Sequence, residues 1–309
     1  MTEAEQRALL TIALLAAHAD GLNDSNERAA VKQLTERLGG ARLDVAAIER
    51  DVESGRVGVA DAIKPLASPP LRHLAYEAAV GAAASDGVHS PAEAAFLAQL
   101  ALALGLPSSD SQAFAARANA IVAAPLPSAS APAARAAPDE AAIDKRILDA
   151  AIMNAALELL PESLASLAII PLQLKLVWRI GQGYGFELDQ GHIRDFLATL
   201  GVGLAGQYLE QYGRKLLGGL LGGLGGGLGR TIGNQTASSG MAFATTWAIG
   251  QIAKQYYAGG RVLDPVKLKA AFGTLVDQAK TLGTRYVGEI QQRAQSVDIR
   301  NLPALIRQF

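Results

Sequence analysis

Apolar residues recur along this chain at spacings of three and four, and nowhere do they alternate at period two. Leu9, Leu10, Ile12, Ala13 and Leu14 form one apolar face, and Val31, Leu34 and Leu38 form a second that ends at Gly39-Gly40. Residues three and four apart share one side of a helix, so each run predicts an amphipathic helix. The same pattern predicts a shorter helical pair within 43–66 and helices near 70–85, 91–105 and 110–122. In the second half it predicts a helix from about His192 to Lys215 and another that ends at Tyr256-Tyr257-Ala258-Gly259-Gly260-Arg261. The expected class is all-α.

Residues 124–139 interrupt the pattern. Ala-Pro-Leu-Pro-Ser-Ala-Ser-Ala-Pro-Ala-Ala-Arg-Ala-Ala-Pro-Asp has no periodic apolar face and reads as a semi-extended tether. A chain of 309 residues has room for two domains. The expected division is a first domain over 1–123, a Pro/Ala/Ser linker over 124–139 and a glycine-rich helical domain over 140–309. The first part carries 10 Lys and Arg against 15 Asp and Glu, whereas 139–309 carries 17 against 14. An acidic domain followed by a mildly basic one argues against nucleic acid as the main ligand. The absence of Cys suits a reducing compartment.

One phrase occurs twice. Ala-His-Ala-Asp-Gly-Leu-Asn-Asp-Ser-Asn-Glu, ending at Glu27, returns as Ala-Ala-Ser-Asp-Gly-Val-His-Ser-Pro-Ala-Glu, ending at Glu93. Asp20, Gly21 and Glu27 each precede Asp86, Gly87 and Glu93 by 66 positions. A constant offset points to a duplicated helix–acidic loop–helix unit. Paired carboxylates from two such loops, folded about a pseudo-two-fold axis, could share one metal ion.

Helix capping accounts for part of this pattern. Asp24 and Ser90 stand where an N-cap belongs, and Glu27 and Glu93 follow three residues later, where a capping box places its reciprocal acid. Pro91 fits the first helical position. Asp20 and Asp86 fit no such role, because a carboxylate at a helix C-terminus meets the negative end of the macrodipole. An unfavourable charge at the same place in both copies suggests a cation. The loop is not an EF-hand, since Leu22 and Val88 stand where that motif needs its second oxygen ligand. Oxygen donors and the absence of Cys favour Ca²⁺, Mg²⁺ or Mn²⁺ over Zn²⁺. His18 and His73 read as packing or surface histidines.

With Ala-Asp-Gly followed by Glu27, and Ser-Asp-Gly followed by Glu93, the region from about 3 to 122 resembles the TerB domain of tellurite-resistance and related stress proteins. The resemblance implies a compact all-helical, pseudo-symmetric domain with an acidic, metal-associated surface. The matching positions are Asp20, Asp24, Glu27, Asp86 and Glu93. Ser90 departs from the acid expected opposite Asp24.

The second half contains two long uncharged runs, 14 residues from Leu216 to Gly229 and 23 from Thr231 to Ala253. The longer reaches the roughly 20 residues of a bilayer span, but Asn234, Gln235, Thr236, Thr245, Thr246 and Gln251 make it polar for a lone lipid-exposed helix. Gly218, Gly222 and Gly226 repeat every four residues, as do Gly219, Gly223 and Gly227, and Gly240, Ala244 and Ala248 form a further small-residue ridge. Such ridges allow close backbone approach, the device that joins helices in membranes. Either a self-associating glycine-zipper hairpin or a flexible glycine-rich loop accounts for them. Leu159–Leu176, interrupted by Pro171 and followed by Trp178, Arg179 and Tyr184, reads as a kinked or interfacial helix.

Leu-Gln-Leu-Lys-Leu-Val-Trp-Arg-Ile-Gly at 172–181, Asp195-Phe196-Leu197 followed by Gly-Val-Gly, Phe-Ala-Thr-Thr at 243–246 and Tyr-Tyr-Ala-Gly-Gly-Arg at 256–261 resemble the YcjF-like domain of unknown function associated with GTPases. That resemblance covers about 143–285. It implies inner-membrane association and a link to GTPases, with no catalytic residues.

Enzymatic signatures are missing. Gly229-Arg230-Thr231 lacks the lysine and the leading glycine of a phosphate-binding loop, and there is neither a Gly-x-Ser-x-Gly elbow nor a His-Glu-x-x-His pair. The N-terminal Met-Thr-Glu-Ala-Glu-Gln-Arg does not resemble a signal peptide. The resulting expectation is a non-enzymatic, oligomeric stress adaptor at the cytoplasmic face of the inner membrane that binds a divalent cation. The alternative is a soluble helical scaffold that acts with a GTPase and binds no metal.

Overall fold

The computed structural model describes residues 1–19, 43–84, 90–123, 138–160, 163–200, 202, 204–217, 239–262 and 264–309. Every regular element among them is helical, and no strand occurs among the described residues. The chain forms two compact units. The first is built from Met1–Ala123 and takes up two helices from farther along, Ser163–Leu167 and Leu204–Leu217.

In the first unit, α1 (Glu3–Ala17) starts at a full capping box. The Glu5 N–H donates to Thr2 Oγ1 at 3.2 Å, and the Thr2 N–H donates to Glu5 Oε2 at 2.6 Å. Ala8 to Leu14 are buried almost without a break, which makes α1 the central helix. Helix α2 (Val45–Glu53) lays Val45, Ile48 and Val52 on it, with Asp44 as N-cap. A short turn, α3 (Val59–Ala62), leads to α4 (Pro69–Ala84), whose Ala75, Ala78, Ala79, Val80, Ala82 and Ala83 pack along α1. These small side chains let two buried helices approach closely. Helices α5 (Pro91–Ala103) and α6 (Ser108–Val122) complete this part, and Tyr76 of α4 meets Phe114 of α6 edge to face.

The two helices taken up from the second half, α8 (Ser163–Leu167) and α11 (Leu204–Leu217), pack on this frame, with α11 against α1, α4 and α8. Residues 192–215, expected to form one helix, form two. The first ends at Thr199 and the second starts at Leu204, and between them the Val202 N–H turns back to the Leu197 carbonyl at 3.0 Å.

The second unit contains α7 (Glu140–Leu159), α9 (Ile169–Gly183), α10 (Gln190–Thr199), α12 (Ser239–Ala258), α13 (Pro265–Gly283), α14 (Val287–Ser296) and α15 (Leu302–Gln308). Helix α12 lies at its centre, against α7, α9 and α13. Ala151, Ile152, Ala155, Ala156, Phe243 and Ile290 form a buried cluster with Trp247 and Tyr286 beside it. The expected interfacial helix is a core helix: Pro171 falls in the first turn of α9 and does not kink a longer segment, and Trp178 is 5% exposed. The stretch Leu164–Gly183 is apolar and long enough to cross a membrane, but almost all of it is buried in the protein.

Of the small-residue ridges, the two between Gly218 and Gly227 lie outside the described residues. The third sits in α12, where Ala244 and Ala248 are fully buried within the unit, while nothing lies within 4 Å of a Cβ placed at Gly240. The tight approach is at Gly250 instead, where an added Cβ would stand 2.7 Å from Ile147 Cγ2 on α7.

Candidate functional site

Among the five predicted metal ligands, Asp20, Asp24, Glu27 and Asp86 lie outside the described residues. Glu93 is described, at the third position of α5. Its Oε2 accepts the Ser90 N–H at 2.7 Å, and its own N–H donates to Ser90 Oγ at 3.1 Å, so the predicted capping box forms in full. Glu93 is 4% exposed, an uncommon degree of burial for a carboxylate. A carboxylate carries about four lone-pair positions, so a cap at one oxygen is compatible with a further role for the group. Among the described residues no group of three His, Asp or Glu side chains comes together as metal ligands. His18 and His73 serve their own helices: each Nδ1 bonds a carbonyl four residues back, Leu14 at 2.8 Å and Pro69 at 3.0 Å.

On the first unit, α11 is polar in sequence yet buried, with Tyr208, Gln211, Tyr212 and Lys215 each at most 2% exposed. Tyr208 and Tyr212 stack with ring centroids 6.3 Å apart. Their hydroxyls and Gln211 Oε1 have no hydrogen-bond partner among the described residues. Burial pushes both tyrosine pKa values above the ordinary range. The Glu77 carboxylate adds to the rise in Tyr208, and Tyr208 and Glu77 add to that in Tyr212.

A polar cluster lies inside the second unit. Asn154 Nδ2 and Gln173 Nε2 both donate to Thr246 Oγ1, at 2.9 and 3.0 Å. Lys175 donates to the Ile306 and Arg307 carbonyls, both at 2.6 Å, and so caps the C-terminal end of α15. Its burial, with Arg179 nearby, lowers its pKa. Glu158 Oε2 accepts the Ala242 N–H at 2.8 Å, placing a negative charge at the start of α12. Thr246, one of the residues that make this segment too polar for a lone span, thus has a structural partner set.

A cavity of about 190 Å³ opens where α10, α12 and α13 meet, lined by His192, Asp195, Phe196, Tyr256, Tyr257 and Arg261 among others. Phe196 meets Tyr256 at 5.2 Å and Tyr257 at 6.2 Å. Arg261 has φ +68°, the single positive φ outside glycine among the described residues, and its guanidinium lies over Phe186 at 5.9 Å. His192 is engaged by Asp189, Nδ1 to Oδ1 at 3.0 Å. Spacing gave no hint of this pocket. The one sequence signal was the phrase that ends in Gly259-Gly260-Arg261.

No curated protein and no solved structure matches the chain. Residues 6–116 match the family described as tellurite resistance protein TerB, a span that contains both copies of the acidic phrase. Most of the stretch from α1 to α6 falls within the matched residues, which supports a TerB domain over 6–116.

Proposed function

We propose that this protein is a non-enzymatic adaptor in a tellurite-resistance-related stress response. Its TerB domain binds a divalent cation, and its second half holds it at the cytoplasmic face of a membrane as an oligomer. The observation that carries the reading is that the TerB match spans both acidic phrases at a constant offset. Asp20, Asp24, Glu27, Asp86 and Glu93 would hold the cation, with Ca²⁺, Mg²⁺ or Mn²⁺ favoured by hard oxygen donors. Bound there, the ion would neutralise like-charged carboxylates and join the two halves of the domain. Glycine ridges between Gly218 and Gly227 would mediate self-association, and the YcjF-like phrases of the second half point to a GTPase partner.

A ligand that binds only the folded state raises its stability, so melting of the full chain with and without each cation tests the first claim. The melting temperature should rise with Ca²⁺, Mg²⁺ or Mn²⁺, and Asp20→Asn with Asp86→Asn should remove the rise. No shift with any of these ions or with Zn²⁺ overturns metal binding. Burial of Leu164–Gly183 favours a second reading, a soluble scaffold acting with a GTPase. Extraction of cell membranes separates the two: release by salt or no association at all favours the scaffold, and a need for detergent favours the anchored adaptor.

A further inference from the structure

The cavity at the corner of α12 and α13 presents opposite charges that do not satisfy one another. Asp195 and Arg261 both line it, and neither has an ion-pair partner among the described residues. A simple anion there would face Asp195, and a simple cation would face Arg261. A molecule carrying both charges would satisfy both walls. Phe196, Tyr256 and Tyr257, packed on one another, close the floor of the cavity.

The backbone supports a binding role for Arg261. Gly260 and Arg261 take left-handed φ values of 72° and 68° in succession. A glycine at 261 would hold that turn with less strain, and residues kept in such conformations cluster at ligand sites. Here the turn places a guanidinium over Phe186.

The surroundings identify the source of the zwitterion. Val262 is 83% exposed and Val266 78%, and they adjoin the lining residues Arg261 and Pro265 along the chain. Lys267 and Lys269 follow in the first two turns of α13, both exposed. Exposed apolar side chains beside basic ones suit a membrane interface, where the first enter the acyl boundary and the second meet phosphates.

We propose that this corner binds the headgroup of a zwitterionic aminophospholipid. Arg261 takes the phosphate, Asp195 takes the primary ammonium, and Val262 and Val266 enter the bilayer surface. The inference rests on the membrane reading above and gives it a lipid preference that the glycine ridges do not.

The test is flotation of the full chain with vesicles of phosphatidylcholine alone, or mixed with phosphatidylethanolamine or with phosphatidylglycerol. Phosphatidylethanolamine should raise the bound fraction well above phosphatidylcholine, whose quaternary ammonium has no N–H to give Asp195. Arg261→Gly, which suits the local φ and so leaves the fold intact, should weaken that binding about tenfold, the loss of one charge-assisted contact. Asp195→Asn should erase the preference. Val262→Asp with Val266→Asp should abolish flotation yet keep the melting shift produced by soluble phosphoethanolamine, which separates the headgroup pocket from bilayer insertion. Equal binding to all three vesicles, stronger binding to phosphatidylglycerol, or an unaffected Arg261→Gly variant overturns the pocket while leaving membrane association standing. Absence of flotation with every vesicle overturns both.

Discussion

The hydroxyl end of Tyr208 on α11 fills the space that a Cβ on Gly81 of α4 would need. Gly81 therefore serves as a notch that receives a helix from the second half of the chain. Tyr208 is fully buried on its seat and stacked on Tyr212.

Gly81→Ala should consequently destabilise the protein, by about 1–3 kcal/mol, as overpacking of a close-fitted core does. Gly273→Ala is the control, because nothing lies within 4 Å of its Cβ and it stands inside α13. That change should stabilise by about 0.5–1 kcal/mol through helix propensity. Chemical denaturation of both variants checks the contrast. Equal effects at the two positions would show that Tyr208 does not seat against Gly81.

The tyrosines also set a pH dependence. Burial raises the pKa of Tyr208 and Tyr212 above the ordinary value near 10. The folded state thus keeps protons that the unfolded state releases. Stability from this source is complete below about pH 10 and falls as pH rises beyond it. Tyr212→Phe removes a hydroxyl without a hydrogen-bond partner among the described residues, so it should cost little or even stabilise at neutral pH. Combined with Tyr208→Phe, it should move the alkaline unfolding midpoint upward, which a pH titration of helical signal measures.

What the sequence revealed was local. Ser90 and Glu93 are three residues apart, and their mutual bonds follow from spacing alone. The helices before both acidic phrases and after the second were legible for the same reason, whereas the helix expected over 31–38 lies outside the described residues. The docking of α11 was not legible, because Gln207, Glu210, Gln211 and Lys215 give it the composition of a surface helix and only tertiary context buries them. Thr246 looked like a polar misfit because Asn154, its partner, lies 92 residues away. Arg261 carries no sign of a positive φ, since the neighbouring glycines would each accept that conformation more readily.

The Thr246 hydroxyl accepts from two buried amides, so its loss should be felt twice. Thr246→Val keeps the shape and strips Asn154 and Gln173 of a shared acceptor, at an expected cost of about 2–4 kcal/mol for two disturbed donors. Adding Asn154→Leu should not add its full cost, since one of the two bonds has already gone. A double-mutant cycle on unfolding free energies measures this coupling, and strict additivity would contradict the shared bond.

Capping and cation binding by Glu93 make different demands, and that difference can be measured. A capping box accepts Gln as well as Glu, because either side-chain oxygen can take the N–H of Ser90. A hard cation discriminates between them, since the amide oxygen brings no net charge. Glu93→Gln should therefore leave the melting temperature without metal almost unchanged and shrink the rise caused by Ca²⁺, Mg²⁺ or Mn²⁺. Ser90→Ala should do the reverse: the lost cap lowers stability by about 1 kcal/mol, while the cation-dependent rise stays intact. If Glu93→Gln leaves the rise untouched, Glu93 is a cap alone, and any cation at the acidic phrases is held by the remaining four carboxylates.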